Sequence, residues 1–217
     1  MPAKRQKLTR ELIIDKALEL IEQDGLENLS TRALGKNLGV QAMALYHHVP
    51  SKDALLDDVT ARLASMITIP TEGQWRSSLE TMARSYIAIA RSHPRAFPLL
   101  AGRRFNSPET LPILEKVFSI FRRAGLPPEG IASAFRFMGY FMNGAGLAEV
   151  ATLEAARRKD FQLPNLDFLA EYPTAREVVP LLSLPHLDGI FEKGLKAILD
   201  SVENDPTRVR TEVQAAE

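Results

Sequence analysis

The 217-residue sequence contains no cysteine. This absence excludes a disulfide framework, cysteine-liganded zinc, iron–sulfur clusters and a thiol nucleophile. A chain of this length can bury about 70% of the surface that it exposes when unfolded, so it needs no cross-link or metal to fold. The absence of cysteine is compatible with the cytosol, and we expect a soluble, cytoplasmic protein.

The sequence also lacks net charge and long hydrophobic runs. Its 27 Lys and Arg residues balance 27 Asp and Glu residues, so any nucleic-acid-binding surface must be a local basic patch. The longest uncharged apolar stretch, Phe137 to Ala148, has 12 residues, fewer than the roughly 20 that span a bilayer. No apolar segment follows the basic N-terminal residues. We therefore expect neither a membrane span nor a signal peptide.

Helical periodicity dominates what is present, and no alternating strand pattern or internal repeat is found. Thr9 and Gly25 are typical of the start and end of a first helix. Ser30 or Thr31 can cap a second helix that ends at Gly39. Two more are predicted at about 41–48 and 51–67.

Six further helices are predicted beyond the turn sequence at 69–73: about 75–92, 95–101, 108 or 111–124, 127–158, 174–182 and 186–202. Residues 159–172 have no clear period and are expected to form a loop that can include one helical turn. The polar segment from Asn204 onward is expected to be disordered. The predicted fold class is all-α, with about nine to ten helices.

Residues 26–52, LENLSTRALGKNLGVQAMALYHHVPSK, predict a helix-turn-helix. Gly39 can adopt the left-handed conformation needed between two short helices. Gly35 is small where the helices would cross, and Leu45 can pack into the crossing. The same spacing also occurs in ordinary helical hairpins, so it does not by itself establish DNA binding.

The charge around this motif favours DNA. Residues 28–52 contain Arg32, Lys36 and Lys52 and no acidic residue, and the first ten residues add four basic residues without an acid. Positive charge in a motif and in a flanking arm suits the phosphate backbone and the minor groove.

Several segments carry a family resemblance: Leu-x-x-Leu-Ser-Thr-Arg, Leu-Gly-Val, Leu-Tyr-His-His-Val and Ser-Lys-Asp-Ala-Leu-Leu, within residues 8–56. Together they resemble the N-terminal domain of the TetR family of transcriptional repressors. Leu-Leu-Asp near residue 56, Trp75, Ser92-His93 and Gly102-x-Arg104 are similar to the tetracycline-repressor branch of that family. The likeness weakens after Glu149.

The resemblance implies three regions: a helix-turn-helix DNA-binding domain with a basic arm at 1–52, a helical effector-binding and dimerisation domain at 53–203, and a tail at 204–217. It implies a homodimer, formed through the C-terminal helices, that represses transcription from a palindromic operator. A small, mostly apolar effector would release the DNA. No cofactor, metal or catalytic activity is expected.

The resemblance also implies which residues contact DNA, namely Ser30, Thr31, Arg32, Gln41, Ala42, Met43, Tyr46, His47, His48 and Lys52. Arg32 can bind guanine or pair with a nearby Glu, and Ser30 and Thr31 can cap the helix, hold a phosphate or do both. Gln41 can pair with adenine, and the apolar residues Ala42, Met43 and Ala44 can contact a thymine methyl group.

Phosphate contacts are expected from Tyr46, His47 and Lys52, whereas His48 can pack or bind a phosphate. A metal site at His47 and His48 is not expected, because adjacent helical residues point about 100° apart and no carboxylate lies within the same turn.

For the effector, the candidate residues are Met82, Tyr86, Phe97, Leu100, Arg104, Phe105, Phe118, Phe137, Tyr140, Phe141 and Asn143. Many of them can equally be plain core. In a cavity, Tyr140 and Asn143 would be the polar groups that orient the ligand. Leu100, Tyr140 and Ala148 stand where the tetracycline repressor has magnesium- or ligand-binding residues, so tight tetracycline binding is not expected.

Two rival functions stay open at this point. A helical enzyme would have His93 and Glu149 as acid–base candidates, but no nucleophile–base–orienter arrangement is evident. A protein-interaction adaptor would use its helical faces. DNA binding that weakens steeply with salt separates a regulator from both.

Overall fold

The computed structural model of the protein describes residues 7–103, 108–157, 170–182 and 187–209. These residues form ten α-helices and no strand, which confirms the all-α prediction. The helices are α1 (Arg10–Asp24), α2 (Thr31–Leu38), α3 (Ala42–Leu45), α4 (Lys52–Ser65), α5 (Trp75–Ser92), α6 (Phe97–Arg103), α7 (Leu111–Arg123), α8 (Pro128–Arg157), α9 (Pro173–Val178) and α10 (Leu187–Glu203).

Short 3₁₀ helices lie at Leu26–Asn28, Pro108–Thr110 and Val179–Leu182. Among the helices in the described ranges, none combines the length and the apolar composition needed to cross a membrane. Of the predicted loop at 159–172, only residues 170–172 are described.

Three helix starts follow directly from the sequence. The side-chain oxygens of Thr9, Ser30 and Ser51 each accept a hydrogen bond from the backbone N–H three residues later, at 3.1–3.2 Å. Each bond satisfies one of the N–H groups that a helix start leaves without a partner. These local contacts fix where α1, α2 and α4 begin, as predicted.

The third helix is shorter than predicted. It spans Ala42–Leu45 rather than residues 41–48. The Tyr46 N–H bonds to the Met43 carbonyl at 3.3 Å, three residues back, so the α-helical pattern ends there and the chain continues in turns. Pro50 follows shortly afterwards and limits any further helix.

In the C-terminal part, α5 packs along α8, with α6, α7 and α10 also against α8. The two glycines at residues 144 and 146 differ in how closely they are packed. A Cβ atom on Gly146 would lie 2.3 Å from the Phe97 ring, whereas one on Gly144 would meet nothing within 4 Å. Gly194 in α10 packs in the same way against the Phe141 ring.

Ion pairs join α10 to α5. Arg76 contacts Asp200, and Arg84 contacts Glu192 with two hydrogen bonds of 3.0 Å. Hydrogen bonds from the Lys196 ammonium and then from the Arg76 guanidinium hold the pKa of Asp200 below its usual value. The hydrogen bond to Glu192 raises the pKa of Arg84.

The segment after α10 is ordered as far as residue 209, which corrects the prediction of disorder from Asn204 onward. The Val209 N–H donates to the Gly125 carbonyl at 2.9 Å, and Arg208 Nε donates to the Ala124 carbonyl. The Arg208 guanidinium also lies 5.3 Å from the centre of the Trp75 ring. We call residues 204–209 the C-terminal strap. The rest of the predicted tail lies outside the described residues.

Candidate DNA-binding surface and effector cavity

The turn between α2 and α3 has the geometry of a helix-turn-helix. Gly39 adopts φ 67°, ψ 28°, the left-handed conformation that ends α2. The Val40 N–H then donates to the Gly35 carbonyl at 2.9 Å. A Cβ atom on Gly35 would lie 2.9 Å from the Val40 carbonyl oxygen, so a larger residue would push the two helices apart. Leu45, 2% exposed, fills the crossing as predicted.

The predicted DNA-contact residues are largely accessible in the structure. Most of these side chains are exposed: Ser30, Arg32, Gln41, Met43, Tyr46, His47 and Lys52. The remaining three are half-buried: Thr31, Ala42 and His48. None of the predicted DNA contacts is therefore hidden in the core.

Two of these residues also have structural contacts. The Ser30 hydroxyl caps α2, which supports the capping alternative without excluding a phosphate contact. Lys52 Nζ donates to the Leu29 carbonyl at 2.7 Å and so joins the start of α4 to the segment before α2. An ammonium group has three donors, so this bond leaves donor capacity for a phosphate.

Between the helices of the C-terminal part lies an almost entirely apolar cavity of about 70 Å³. Helices α4, α5, α6, α7 and α8 all contribute to it. Its lining residues are Ala64, Ile67, Met82, Tyr86, Leu100, Thr110, Ile113, Leu114, Val117, Phe135, Met138, Gly139, Met142 and Asn143. No charged side chain belongs to this lining.

The polar groups of the cavity are joined by hydrogen bonds that connect three helices. The Tyr86 hydroxyl of α5 donates to Asn143 Oδ1 of α8 at 2.6 Å. Asn143 Nδ2 donates to the Ala101 carbonyl of α6 at 3.2 Å. The cavity therefore offers a neutral amide and a hydroxyl beside an apolar wall, which suits an uncharged apolar ligand better than an ion.

Helix α4 reaches both regions. Ala64, near its end, and Ile67, two residues beyond its end, line the cavity. At its start, Asp53 accepts a hydrogen bond of 2.9 Å from Arg103 of α6, and Arg103 Nε lies 3.4 Å from Asp57 Oδ1. Asp58, which is buried, receives two hydrogen bonds from Arg10 of α1, at 2.7 and 2.9 Å.

Two family models match the chain and together cover most of it. Residues 13–59 match "Bacterial regulatory proteins, tetR family", and residues 69–205 match "Tetracyclin repressor-like, C-terminal domain". The chain belongs to the TetR family.

Similar proteins of this family include proteins named as repressors. The HTH-type transcriptional repressor DrrR1 of Streptomyces coeruleorubidus is 30% identical, over 90% of this chain and 77% of that protein. The class C tetracycline repressor protein of Escherichia coli is 32% identical, over 91% of both chains. The Streptomyces coelicolor TetR family protein ActR, solved in complex with actinorhodin, superimposes with a TM-score of 0.73 at 25% identity, covering 91% of this chain and 97% of that one.

Only part of the predicted effector set lines the cavity of this TetR-family chain. Met82, Tyr86, Leu100 and Asn143 do so. Arg104 and Phe105 lie outside the described residues. The other five predicted residues lie elsewhere: Phe97, Phe118, Phe137, Tyr140 and Phe141.

Phe137 and Tyr140 do not line this cavity, for a physical reason. They are 53% and 67% exposed, because they lie on the side of α8 opposite Phe135 and Met138, which line the cavity. Two positions along a helix correspond to a rotation of about 200°, so 137 and 140 face away when 135 and 138 face inward.

The other three aromatic residues pack beside the cavity rather than line it. Phe97 is fully buried and meets Tyr86 edge-on at 5.3 Å. Phe118 meets Phe135 edge-on at 5.1 Å. Phe141 stacks on Phe191 of α10 at 5.6 Å, so it joins two helices instead of facing the cavity.

Most of the aliphatic wall, including Ile113, Leu114 and Val117 of α7, was not predicted from the sequence. The pattern that would have identified the lining residues is their position around the helix. Positions 135, 138, 142 and 143 recur at i, i+3, i+7 and i+8, which is one helix face, whereas the prediction selected aromatic side chains by type. Within the ranges that the structure describes, no group of three or more His, Asp or Glu residues could hold a metal ion.

Proposed function

We propose that this TetR-family protein is a transcriptional repressor that a small, mostly apolar effector releases from a palindromic DNA operator. The observation that carries the proposal is the position of α4. Lys52 at its start bonds to the segment before α2, and Ala64 near its end lines the cavity. One rigid helix of 14 residues, about 21 Å long, thus contacts both the DNA-binding surface and the effector cavity.

The cavity volume supports a mechanism based on displacement. Ligand sites typically have volumes of about 300–1,000 Å³, several times the 70 Å³ present here. An effector of ordinary size therefore has to move the walls, which include Leu100 of α6 and Ala64 of α4. Since Arg103 joins α6 to α4, movement of either helix is transmitted to the DNA-binding surface. The effector stabilises a conformation that fits the operator poorly, which is a population shift.

The outer face of α8 supports the homodimer. Phe137, Tyr140 and Leu147 are 42–67% exposed and recur at i, i+3 and i+10, with Gly144 between them. Ile190 of α10 is 58% exposed. Such an apolar face is typical of a surface covered by another subunit. Two-fold symmetry would present two α3 helices to half-sites about 34–36 Å apart.

The relatives support regulation rather than catalysis. DrrR1 and the class C tetracycline repressor protein are repressors, and ActR is described in complex with the small molecule actinorhodin. We propose the same partition here, with residues 1–52 contacting DNA and residues 53–203 binding effector and partner subunit. This function requires no metal and no catalytic residue, and it places the protein with the DNA in the cytoplasm.

Selection from a random DNA pool tests the proposal. Purified protein should enrich a palindromic sequence, and its affinity for that sequence should fall steeply between 50 and 200 mM salt. A screen of uncharged apolar compounds should then find molecules that release the DNA. Failure to enrich any sequence would contradict the proposal and favour the enzyme or adaptor alternatives.

A further inference from the structure

The surface of α3 lacks every charged group. No Asp, Glu, Lys or Arg occurs between Lys36 and Lys52. Specific contacts to guanine come mostly from Arg or Lys, and contacts to cytosine N4 come from Glu or Asp. A recognition helix without these residues is left with an amide, apolar groups, a phenol and two imidazoles for reading base edges.

Met43 is the unusual member of this surface. Before residue 67, the large hydrophobic side chains exposed in the described structure are Met43, at 70%, and Tyr46, at 44%. Met43 is the second residue of α3, and the first residues of a recognition helix contact base edges. Its basic surroundings, with no acidic residue from 28 to 52, suit DNA rather than an apolar protein partner.

We infer that α3 reads A·T base pairs mainly by apolar contact with the C5-methyl groups of thymine, with Met43 as the main contact residue. The inference rests on the proposed function and specifies the chemistry of the operator. Gln41 lies two residues before Met43, is exposed and makes no side-chain capping bond to α3, so its amide can pair with a neighbouring adenine.

Deoxyuridine in place of thymidine isolates this contact, because it removes the methyl group and keeps the base pairing. In the operator selected from a random pool, each thymine of a half-site is replaced in turn, in both half-sites. The wild type should lose affinity about fourfold per half-site at one or two positions, the value of one buried methyl group. Met43→Gln should bind thymine- and uracil-containing DNA equally, whereas Met43→Leu should keep the preference for thymine.

Leu111→Gln is the matched control, since Leu111 is also an exposed apolar side chain, at 61%, but lies on α7. It should leave affinity and methyl sensitivity unchanged. Equal affinity of the wild type for thymine- and uracil-containing operators would overturn the inference and leave the proposed function intact. The inference would also be overturned, with the proposed function intact, if Met43→Gln lost as much affinity as the wild type when uracil replaces thymine. A pool from which no sequence is enriched would overturn both.

Discussion

Apolar side chains are central to both the DNA-binding surface and the cavity region. In the first they are exposed to solvent, whereas in the second they are buried. In the first, Met43 lies exposed on the short helix α3, which follows α2, a helix whose limits depend on local contacts at Ser30 and Gly39. In the second, Met138 is buried by contacts between helices that are distant in sequence. An exposed apolar side chain implies a partner outside the chain, whereas an apolar cavity between helices implies a bound ligand.

The largest effect is expected from Gly35→Val, which should disrupt the helix-turn-helix and leave the cavity region unchanged. The added side chain meets the Val40 carbonyl oxygen, a backbone atom that cannot rotate away. We expect at least a tenfold loss of operator affinity, measured by fluorescence anisotropy, because α2 and α3 separate. Gly102→Ala is the control, since a Cβ atom there meets nothing within 4 Å. Unchanged affinity of Gly35→Val would contradict the described crossing.

Leu100→Ala should destabilise the cavity region. Leu100 is fully buried and lines the cavity, and leucine-to-alanine changes in cores cost about 2–5 kcal/mol. Thermal and denaturant unfolding should show this loss in the free energy of unfolding. Leu111→Ala, at an exposed position of α7, should stay within about 0.5 kcal/mol of the wild type. A similar loss in both variants would mean that the cavity wall is not packed as described.

These two regions also differ in how far the sequence alone predicts them. The starts of α1, α2 and α4 depend on hydroxyl groups three residues from the N–H groups that they cap, so local reading is sufficient. The span of α5, residues 75–92, was predicted to the residue. The side of α8 on which Phe137 lies was not predicted, because its position around the helix, and not its aromatic character, decides whether it faces the cavity. The C-terminal strap was missed because its partners, Gly125 and Trp75, lie far away in sequence.

Arg208→Ala should have a smaller effect, confined to the C-terminal strap. The change removes a hydrogen bond to Ala124 and a guanidinium contact with Trp75, together worth about 1 kcal/mol. Trp75 is the one tryptophan in the sequence, so its fluorescence should shift to longer wavelength as the ring becomes hydrated. Arg157→Ala, on exposed α8 surface, should not shift it. If Arg208→Ala also leaves the emission unchanged, the strap does not cover Trp75 in solution.

Asp200→Asn should alter stability only slightly, and in a pH-dependent way. Because Lys196 and Arg76 lower the pKa of Asp200 in the folded state, its contribution is complete above the unfolded value of about 3.9. It is lost as the pH falls through the lower folded-state pKa. The difference in melting temperature between wild type and variant should therefore narrow below pH 4. A difference that persists at pH 2 would rule out this ionisation as its source.

No effect at all is expected from tetracycline with magnesium. Leu100 offers no ligand for a metal ion, and Tyr140 and Ala148 lie exposed, away from the cavity. The melting temperature should stay constant as the complex is added. A clear, saturating rise would show that the cavity accepts the chelate by a route that these residues do not reveal.

The most direct test of an α4-mediated release is a distance measurement between the two DNA-binding units of a dimer. Since the chain has no cysteine, Glu27→Cys provides one spin label per subunit, just before α2. With the selected operator bound, double electron–electron resonance should give one narrow distance. Adding a compound that releases the DNA should shift that distance by several ångströms. The same narrow distance with and without the compound would contradict the account, since release would then occur without movement of the DNA-binding units.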